Sequence, residues 1–522
     1  MNENSAVGTA CRRHLLCACI ALAIAAPPVA AQTANDGQRE PLRDASGEPL
    51  RIDLAGWHAA ALQKPRTTPA RAAATLTVTD CGDGPEPGTL RNTIAGAVDG
   101  DVVDLRALAC SSITLADGVI PIPVENLSLL GPGADALAID GAALDRVFIH
   151  PYAGTFAIDG LTVRNGRNRA TGFDLAGGGC IAEASYLVLE DSVVSGCYAG
   201  GEGAYGGAIY GYGLTMIRST LAGNTAYGIH DSAGTAAFGG GAFVYTLELT
   251  DSTVSGNRAT HREAGRASYD IGGGIIAIRG SRISGSTIEG NYAWGRGGGL
   301  ATFSLDAMQV TNSTISGNAA PTTAGGGIFA RPLAGLAISS STITNNVSAD
   351  GGGLFAGPTA VPFVSSSILF GNVAAIAGAE DVAAPSAMLL TGSHNAIGNA
   401  GAVGAVELPS DTVRTDPGLL PLAWNGGLTR THALIAGSPA IDAGDDGGSA
   451  FDQRGAGYPR VQGAAADIGA YEVQPATGAD IVAVPVDSNW LQLALASLLI
   501  ALGVRARGPV RRLATRRATR DG

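Results

Sequence analysis

Two insertions in the middle of the chain contain the side chains whose types could bind or transform a ligand. They lie between Asn224 and Gly239 and between Asn257 and Gly272. Phenol, imidazole, guanidinium and carboxylate groups on loops of a rigid scaffold commonly carry function. The candidate binding residues are Tyr227, His230, His261, Arg262, Glu263, Arg266, Tyr269 and Asp270. Such a set could bind an extracellular polysaccharide or a host or matrix ligand, or supply acid–base groups to a polysaccharide lyase or glycoside hydrolase.

No catalytic constellation is recognisable in the sequence, so binding without catalysis is our expectation, and the lyase or hydrolase stays as the alternative. Asp140, Asp145, Arg146 and His150 cluster in sequence, but an ion-paired cap is the favoured interpretation. We predict no cofactor and no metal site, because the acidic run from Asp442 to Asp446 matches no calcium loop. A polar column that precedes each repeat is interpreted as a solvated turn: Asp191, Arg218, Asp251, Gly285, Asn312, Ser340 and Ser366.

The scaffold for these loops is a phrase that recurs between residues 177 and 372. It reads Ser, Thr, aliphatic, variable, Gly, Asn, and its copies end at Cys197, Asn224, Asn257, Asn291, Asn318, Asn346 and Asn372. The aliphatic column has no polar exception, and the segment before each copy alternates with a period of two, which indicates strands with one face in a core. Glycine pairs or triplets between copies indicate corners with positive φ or close backbone approach.

A period of roughly 26 to 34 residues with two or three short strands predicts a right-handed parallel β-helix. Coils about 4.8 Å apart would align the Ser, Thr and Asn columns as ladders. A leucine-rich or helical repeat is the alternative, and the β-branched content, the period of two and the glycine triplets count against both. The fold class is therefore all-β, with an N-terminal cap, a cleavable signal and a short C-terminal hydrophobic helix.

The N-terminus and the charge indicate export and exclude nucleic acid as a partner. Arg12 and Arg13, the apolar run from Leu15 and the small residues before Gln32 predict a signal peptide over residues 1–31, which would engage the Sec export machinery and signal peptidase. A membrane anchor is disfavoured because the apolar run is short. Residues 32–74 are predicted to be a flexible lead-in. With a formal charge of −12, the chain is a poor match for nucleic acid or anionic membrane.

Export also determines how the cysteines are interpreted. Four remain after the signal, and the simplest pairing joins Cys81 to Cys110 and Cys180 to Cys197, although four cysteines allow three pairings. Zinc binding is the rival interpretation. It is disfavoured because the spacing is not that of paired C-x-x-C motifs and no histidine lies nearby in sequence.

Residues 75–160 resemble a known N-terminal region. Gly88-Thr89-Leu90-Arg91 begins a predicted short helix through Ala97, and Ile113-Thr114-Leu115 and Arg146-Val147-Phe148 follow. These motifs resemble the cap and first coils of bacterial surface proteins with a CSLREA-type N-terminal region. The repeats of residues 161–414 are more weakly similar to those of polymorphic outer-membrane proteins.

The C-terminal part resembles two further sequence families. Residues 415–475, with Trp424-Asn425-Gly426-Gly427 and Asp467-Ile468-Gly469-Ala470-Tyr471-Glu472, are similar to the choice-of-anchor Q domain, which implies a segment that completes the far end of a β-helix without a catalytic role. Residues 476–489 are interpreted as a linker that contains a sorting motif. Residues 490–522 are interpreted as a hydrophobic helix followed by an Arg-rich tail. Val484, Pro485 and Trp490 look like an IPTL-CTERM signal, which implies a C-terminal sorting enzyme; an ordinary tail anchor is the alternative. Localisation is expected to be the cell envelope or the extracellular space.

Overall fold

The computed structural model describes residues 71–169, 177–201, 203–228, 236–261, 270–303, 306–331, 335–358, 360–401 and 406–475. The predicted signal peptide, most of the lead-in and the apolar stretch 490–504 lie outside these residues. So do single residues to which the sequence assigns a role: His230, Arg262, Glu263, Arg266, Tyr269, Val484, Pro485 and Trp490. The chain divides into a unit that ends at Val473 and a second one from Gln474, of which Gln474 and Pro475 are described.

The described part of the first unit is a parallel β-solenoid, as the sequence predicted. Three sheets run along it, and every pairing between named strands is parallel. Sheet 1 has 18 strands, sheet 2 has 11 and sheet 3 has 8. Each coil contributes to the sheets in turn, so residues that are far apart in sequence become neighbours about 4.8 Å apart.

The strands of sheet 1 are Thr75–Thr77, Asp101–Asp104, Ile120–Pro121, Leu127–Leu130, Phe148–His150, Thr155–Asp159, Ile181–Glu190, Ile209–Ile217, Ala242–Thr250, Ile275–Ala277, Ser281–Ser284, Leu300–Thr302, Met308–Thr311, Ile328–Ala330, Leu336–Ser339, Leu354–Ala356, Pro362–Ser365 and Val382–Ala383. Those of sheet 2 are Ser112–Thr114, Ala138–Asp140, Thr162–Arg164, Val193–Ser195, Thr220–Ala222, Thr253–Ser255, Thr287–Glu289, Thr314–Ser316, Thr342–Thr344, Ile368–Leu369 and Ala396–Ile397. Those of sheet 3 are Arg167–Asn168, Tyr198–Gly201, Thr225–Gly228, Arg258–His261, Tyr292–Ala293, Ala319–Ala324, Val347–Asp350 and Val373–Ala374. Two further pairs are Ala204–Tyr205 with Ala237–Phe238, and Met388–Leu389 with Val406–Glu407.

The repeat forms this structure because its corners are encoded locally. The residue before each repeat serine has positive φ, from 44° at Asp191 to 60° at Gly285. The fifth position of the phrase also has positive φ, as at Gly223 (65°), and so does the first glycine of each later pair or triplet, as at Gly239 (67°); in the first triplet the residue is Gly178 (68°). Glycine, asparagine and aspartate adopt this left-handed conformation most readily. The polar column is therefore a set of turns, as the sequence indicated, but it is not solvated throughout, because Gly285, Ser340 and Ser366 are buried.

Of the three predicted ladders, those of Asn and Ser connect the coils through buried side chains. The Thr column is aligned in register, but the hydroxyls of Thr287, Thr314 and Thr342 bond to the C-terminal segment described below. Each Asn Oδ1 accepts from the backbone N–H and the Nδ2 of the Asn one coil earlier, for example Asn257 to Asn291 at 3.0 and 2.9 Å. The Asn ladder begins at Cys197 and ends at the carboxylate of Asp381, which accepts from Asn372. In the Ser ladder each Oγ accepts from the preceding Ser N–H, and the last acceptor is Asn395. Because both members of each contact are buried, the ladders fix the register between coils.

The N-terminal end of the solenoid is covered by the single helix of the described residues, Leu90–Ala95. Thr89 caps it by accepting from the N–H of Asn92, and Leu90 and Ile94 are buried. Arg91 binds the carboxylate of Asp83, whose Oδ2 also accepts from the N–H of Ala116 at 2.7 Å. The helix therefore protects the first coil from pairing with another strand edge.

Two disulfides join the pairs that the cysteine count suggested. Cys81 is bonded to Cys110, and Cys180 to Cys197. Cys180 and Cys197 are buried in the core, and Cys197 occupies the position that Asn takes in later coils. The second disulfide therefore stands at the start of the Asn ladder.

Removal of the second disulfide is expected to destabilise the solenoid measurably. The Cys180→Ala/Cys197→Ala variant should lose about 3 kcal/mol of unfolding free energy, because a cross-link over 17 residues no longer restricts the unfolded chain. Urea unfolding followed by far-UV circular dichroism measures the change, with Cys81→Ala/Cys110→Ala as the matched comparison. Equal urea midpoints for the wild type and the Cys180→Ala/Cys197→Ala variant would contradict the prediction.

Residues 415–473 fold back along the outer face of sheet 2. Gln453 accepts from the hydroxyl of Thr314 at 2.6 Å and donates to Thr287 at 3.0 Å. Ala470 N donates to the hydroxyl of Thr342 at 3.1 Å, and His432 contacts Ser316 at 2.9 Å. The segment thus lies beside several coils rather than only beyond the last one, which differs from the placement that the resemblance implied. The threonine column supplies the hydroxyls that the segment needs on this face.

No helix within the described ranges is long and apolar enough to cross a membrane.

Candidate functional site

The outer face of sheet 3 brings together aromatic and cationic side chains from successive coils. The register aligns Arg167 with Tyr198, Thr225, Arg258 and Tyr292 in one column. A second column contains Tyr227, which stands opposite Thr260, and Trp294, which directly follows the strand Tyr292–Ala293. We call Arg167, Tyr198, Tyr227, Arg258, Tyr292 and Trp294 the aromatic platform. Four coil steps separate Arg167 from Tyr292, which is roughly 19 Å along the solenoid.

The local sequence explains why these large side chains face outward. Alanines alternate with them in the strands, and Ala199, Ala226, Ala259 and Ala293 are fully buried. With a period of two, a small residue inside places its bulky neighbour on the outer face. The interior alanines therefore select which side chains form the platform.

Ring and guanidinium groups of the platform are stacked on one another. Tyr198 and Tyr227 have ring centroids 6.2 Å apart at an interplanar angle of 29°. The guanidinium of Arg167 lies 4.8 Å from the centroid of Tyr198, and that of Arg258 lies 4.6 Å from the centroid of Tyr292. These cation–π contacts orient both guanidinium groups over the sheet.

Burial raises the pKa of two phenols of the platform, those of Tyr198 and Tyr292. It is the largest cause that raises the pKa of Tyr198, and the nearby charge of Arg167 opposes it. Burial likewise raises the pKa of Tyr292, against the charge of Arg258. Both hydroxyls therefore remain available as hydrogen-bond donors well above neutral pH.

A histidine and a carboxylate meet beside the platform. His261 Nδ1 lies 2.6 Å from Asp270 Oδ2, although the two residues flank the insertion 262–269. Asp270 is fully buried and its Oδ1 accepts from the N–H of Ala237 at 2.8 Å. The His261 ring makes an edge contact with Trp294, with centroids 6.1 Å apart. The carboxylate thus fixes the orientation of the imidazole ring next to an aromatic surface.

Three of the eight predicted binding residues are described, and all three are found here. Tyr227 belongs to the platform, and His261 and Asp270 form the adjacent pair. The other five lie outside the described residues. Sequence reasoning missed Arg167, Tyr198, Arg258, Tyr292 and Trp294, because it searched the insertions and not the strands before them. In the first four copies of the repeat phrase, an alanine flanked by an aromatic or basic residue follows the final residue, Cys197, Asn224, Asn257 or Asn291, and this is the signal that could have identified the last four of them.

The other acidic and basic sequence clusters serve structural roles. His150 turns inward and pairs with Glu183, while Asp140 pairs with Arg164 at 2.8 Å. Asp442 Oδ1 accepts from the N–H groups of Ala464 and Ala465. Across the described ranges no group of three or more His, Cys, Asp or Glu side chains could hold a metal ion.

The comparisons with known proteins add little to this picture. No family model matches the chain, and no curated protein matches it. Among solved structures, the chain has a likeness to the "Crystal structure of pectate lyase Pel9A", with a TM-score of 0.36 and 11% sequence identity, over 79% of this chain and 99% of that one. A likeness at this level carries no conclusion about activity. The pairing of its strands is therefore the basis for assigning the chain to the parallel β-solenoid fold.

Proposed function

We propose that the protein is an exported cell-envelope protein that binds acidic extracellular polysaccharide, without catalysis, on the aromatic platform of sheet 3. The observation that carries the proposal is the stacking of two guanidinium groups on outward-facing tyrosines, Arg167 on Tyr198 and Arg258 on Tyr292. Sugar rings present apolar faces that pack on aromatic rings, and uronate carboxylates match the fork of donors of arginine.

The charge of the platform favours an acidic ligand. The described strands from Arg167–Asn168 to Tyr292–Ala293 carry no Asp or Glu. Asp270, which lies beside the platform, is buried and paired with His261. A carboxylate group on the ligand would therefore meet two oriented cations and no exposed anion of these strands, even though the whole chain has a formal charge of −12.

The platform is rigid, so a ligand would bind a surface that is already formed. Its side chains stand on paired strands and are held by ring contacts, so few rotamers must be frozen when a ligand binds. Repetition along the coils provides several such contacts in a row, which suits a polymer with a repeating unit better than a compact molecule.

Export and attachment complete the proposal. It is supported by the signal-like residues 1–31, which would use the Sec machinery and signal peptidase, and by two disulfides, which are typical of oxidising compartments. We further propose that the CSLREA-like, choice-of-anchor Q-like and IPTL-CTERM-like features mark a displayed surface protein whose tail is handled by a sorting enzyme. Mass spectrometry of the mature C-terminus tests the last point, and a tail that is intact at Arg520 would contradict it.

The platform makes a prediction about binding. Trp294→Ala and Arg258→Ala should each weaken binding to polygalacturonate or alginate about tenfold, because aromatic and arginine anchors commonly contribute more than 1.4 kcal/mol. Affinity electrophoresis or calorimetry measures the effect. Trp424→Ala is the matched control, since that indole is 67% exposed and belongs to the segment 415–475. Unchanged affinity in both platform variants, or no binding of either polymer by the wild type, would refute the proposal.

One observation favours the alternative of a polysaccharide lyase or glycoside hydrolase. The His261–Asp270 pair has the geometry by which a carboxylate orients a histidine for proton transfer. The purified protein should be incubated with the same polymers while unsaturated products and reducing ends are followed. Release of either by the wild type, with its loss in His261→Gln, would replace the binding function by a catalytic one.

A further inference from the structure

We infer that sheet 1 carries a second glycan site, separate from the platform, that takes a neutral oligosaccharide. It is a shallow cavity of about 400 Å³ on the outer face of sheet 1. Its wall is Tyr186, and its polar lining includes Thr215, Thr246, Glu248, Arg282 and Gln309. We call it the sheet-1 cavity. It goes beyond the proposed function because it rests on other residues and another sheet.

The wall of the cavity is an aromatic side chain held in place by its neighbours. The Tyr186 ring is 45% exposed and packs edge-on against Tyr212, with centroids 5.8 Å apart. Tyr212 in turn stacks on Tyr245 at 5.0 Å, and Arg279 Nε donates to the hydroxyl of Tyr245 at 3.1 Å. An exposed ring that is fixed in this way offers a flat apolar surface to one face of a sugar at little entropic cost.

The floor of the cavity is a row of polar side chains from three successive coils. Glu248 stands opposite Arg282, and Arg282 opposite Gln309, in the parallel register. All three are exposed, and no hydrogen bond or ion pair to a described residue occupies their side chains. Carboxylate, guanidinium and amide groups about 4.8 Å apart can bind successive hydroxyl groups of a chain that lies along the solenoid axis.

The balance of charge determines the ligand class. On the floor the one carboxylate of Glu248 faces the one guanidinium of Arg282, and beside the wall Arg279 is matched by Asp306 at 3.6 Å. A uronate would approach an anion as closely as a cation here, whereas hydroxyl groups can both donate to Glu248 and accept from Arg282. The cavity is therefore complementary to a neutral glycan, in contrast to the cationic platform of sheet 3.

The test separates the two sites by ligand and by variant. Cello-oligosaccharides, laminarin and dextran are the neutral probes, and polygalacturonate is the acidic probe. At least one neutral probe should bind the wild type, and Tyr186→Ala should weaken that binding at least tenfold and Gln309→Ala at least threefold. Neither variant should change binding of polygalacturonate. The platform variants Trp294→Ala and Arg258→Ala should leave neutral binding unchanged, with circular dichroism as the check of folding.

Two results would overturn the inference. One is that none of the three neutral probes binds the wild type. The other is that the neutral probe binds Tyr186→Ala and Gln309→Ala as tightly as the wild type. Because both exchanged side chains are exposed, loss of folding is not expected to obscure the result. Failure of the platform variants to affect polygalacturonate would refute the proposed function and leave the sheet-1 cavity standing.

Discussion

Asn346→Ala is expected to lower the unfolding free energy by on the order of 3 to 5 kcal/mol, although it removes one small polar side chain. Asn346 Oδ1 accepts from the N–H and the Nδ2 of Asn318 at 3.0 and 2.9 Å. Its own Nδ2 donates to Asn372 Oδ1 and to the carbonyl of Ile315, both at 2.9 Å. Alanine would leave a buried backbone N–H and a buried carbonyl without these partners, in a place that water cannot reach.

The adjacent residue supplies the matched control. Asn345 is exposed, has φ of 57° and stands where most copies of the repeat have glycine. Asn345→Gly should change the unfolding free energy by less than about 0.5 kcal/mol, because glycine adopts the same conformation and no ladder contact is lost. Urea unfolding of both variants measures the contrast. Similar losses at positions 345 and 346 would show that the ladder does not stabilise the coils.

His150→Ala and Glu183→Ala are expected to have effects of similar size in the first coils. His150 Nδ1 lies 2.8 Å from Glu183 Oε2, and both side chains are fully buried. His150 Nε2 donates to the carbonyl of Val124 at 2.8 Å, so Nδ1 and the carboxyl group hold one proton between them. Either single substitution leaves its partner buried without this ion-pair contact, which costs roughly 3 to 5 kcal/mol.

A double variant distinguishes the cost of breaking the pair from the cost of removing both side chains together. His150→Leu/Glu183→Leu should recover much of the loss, because an apolar pair of similar size needs no hydrogen bonds. Glu190→Ala serves as the surface control, since Glu190 ends the same strand, is 43% exposed and pairs with Arg218; it should cost less than about 1 kcal/mol. Chemical denaturation of the four variants and the wild type gives the values. A double variant that is less stable than both single variants would count against this account of the pair.

The candidate site is made mainly of strand residues and only partly of residues in the insertions. The insertions break the period of the repeat, yet the proposed binding surface is built mainly from strand residues such as Tyr198 and Tyr292. Tyr227, His261 and Asp270 were identified because they border the insertions. The strand residues were missed because a single aromatic residue after the repeat phrase is fully explained as a side chain on the outer face of a strand.

The sequence by itself determined the features that depend on neighbouring residues. The period of two set which side chains face the core, the residues with positive φ set the corners, and the constant length of the repeat phrase set the Ser and Asn ladders. The sequence left three cysteine pairings open, and the structure forms the simplest of them. These features are local or recur in every copy, so the pattern of one coil predicts the strands, corners and ladders of the others.

Only the tertiary structure decided which non-repeated residues of neighbouring coils lie side by side. The coils vary in length, so sequence distance does not give the neighbour of Arg258 or Glu248 until the strands are paired. The same holds for the burial of His150 against Glu183 and for the return of residues 415–473 onto sheet 2, which joins Gln453 to Thr314 across 139 residues. Such contacts depend on long-range register and on which surfaces remain uncovered, and neither property is encoded within a single repeat.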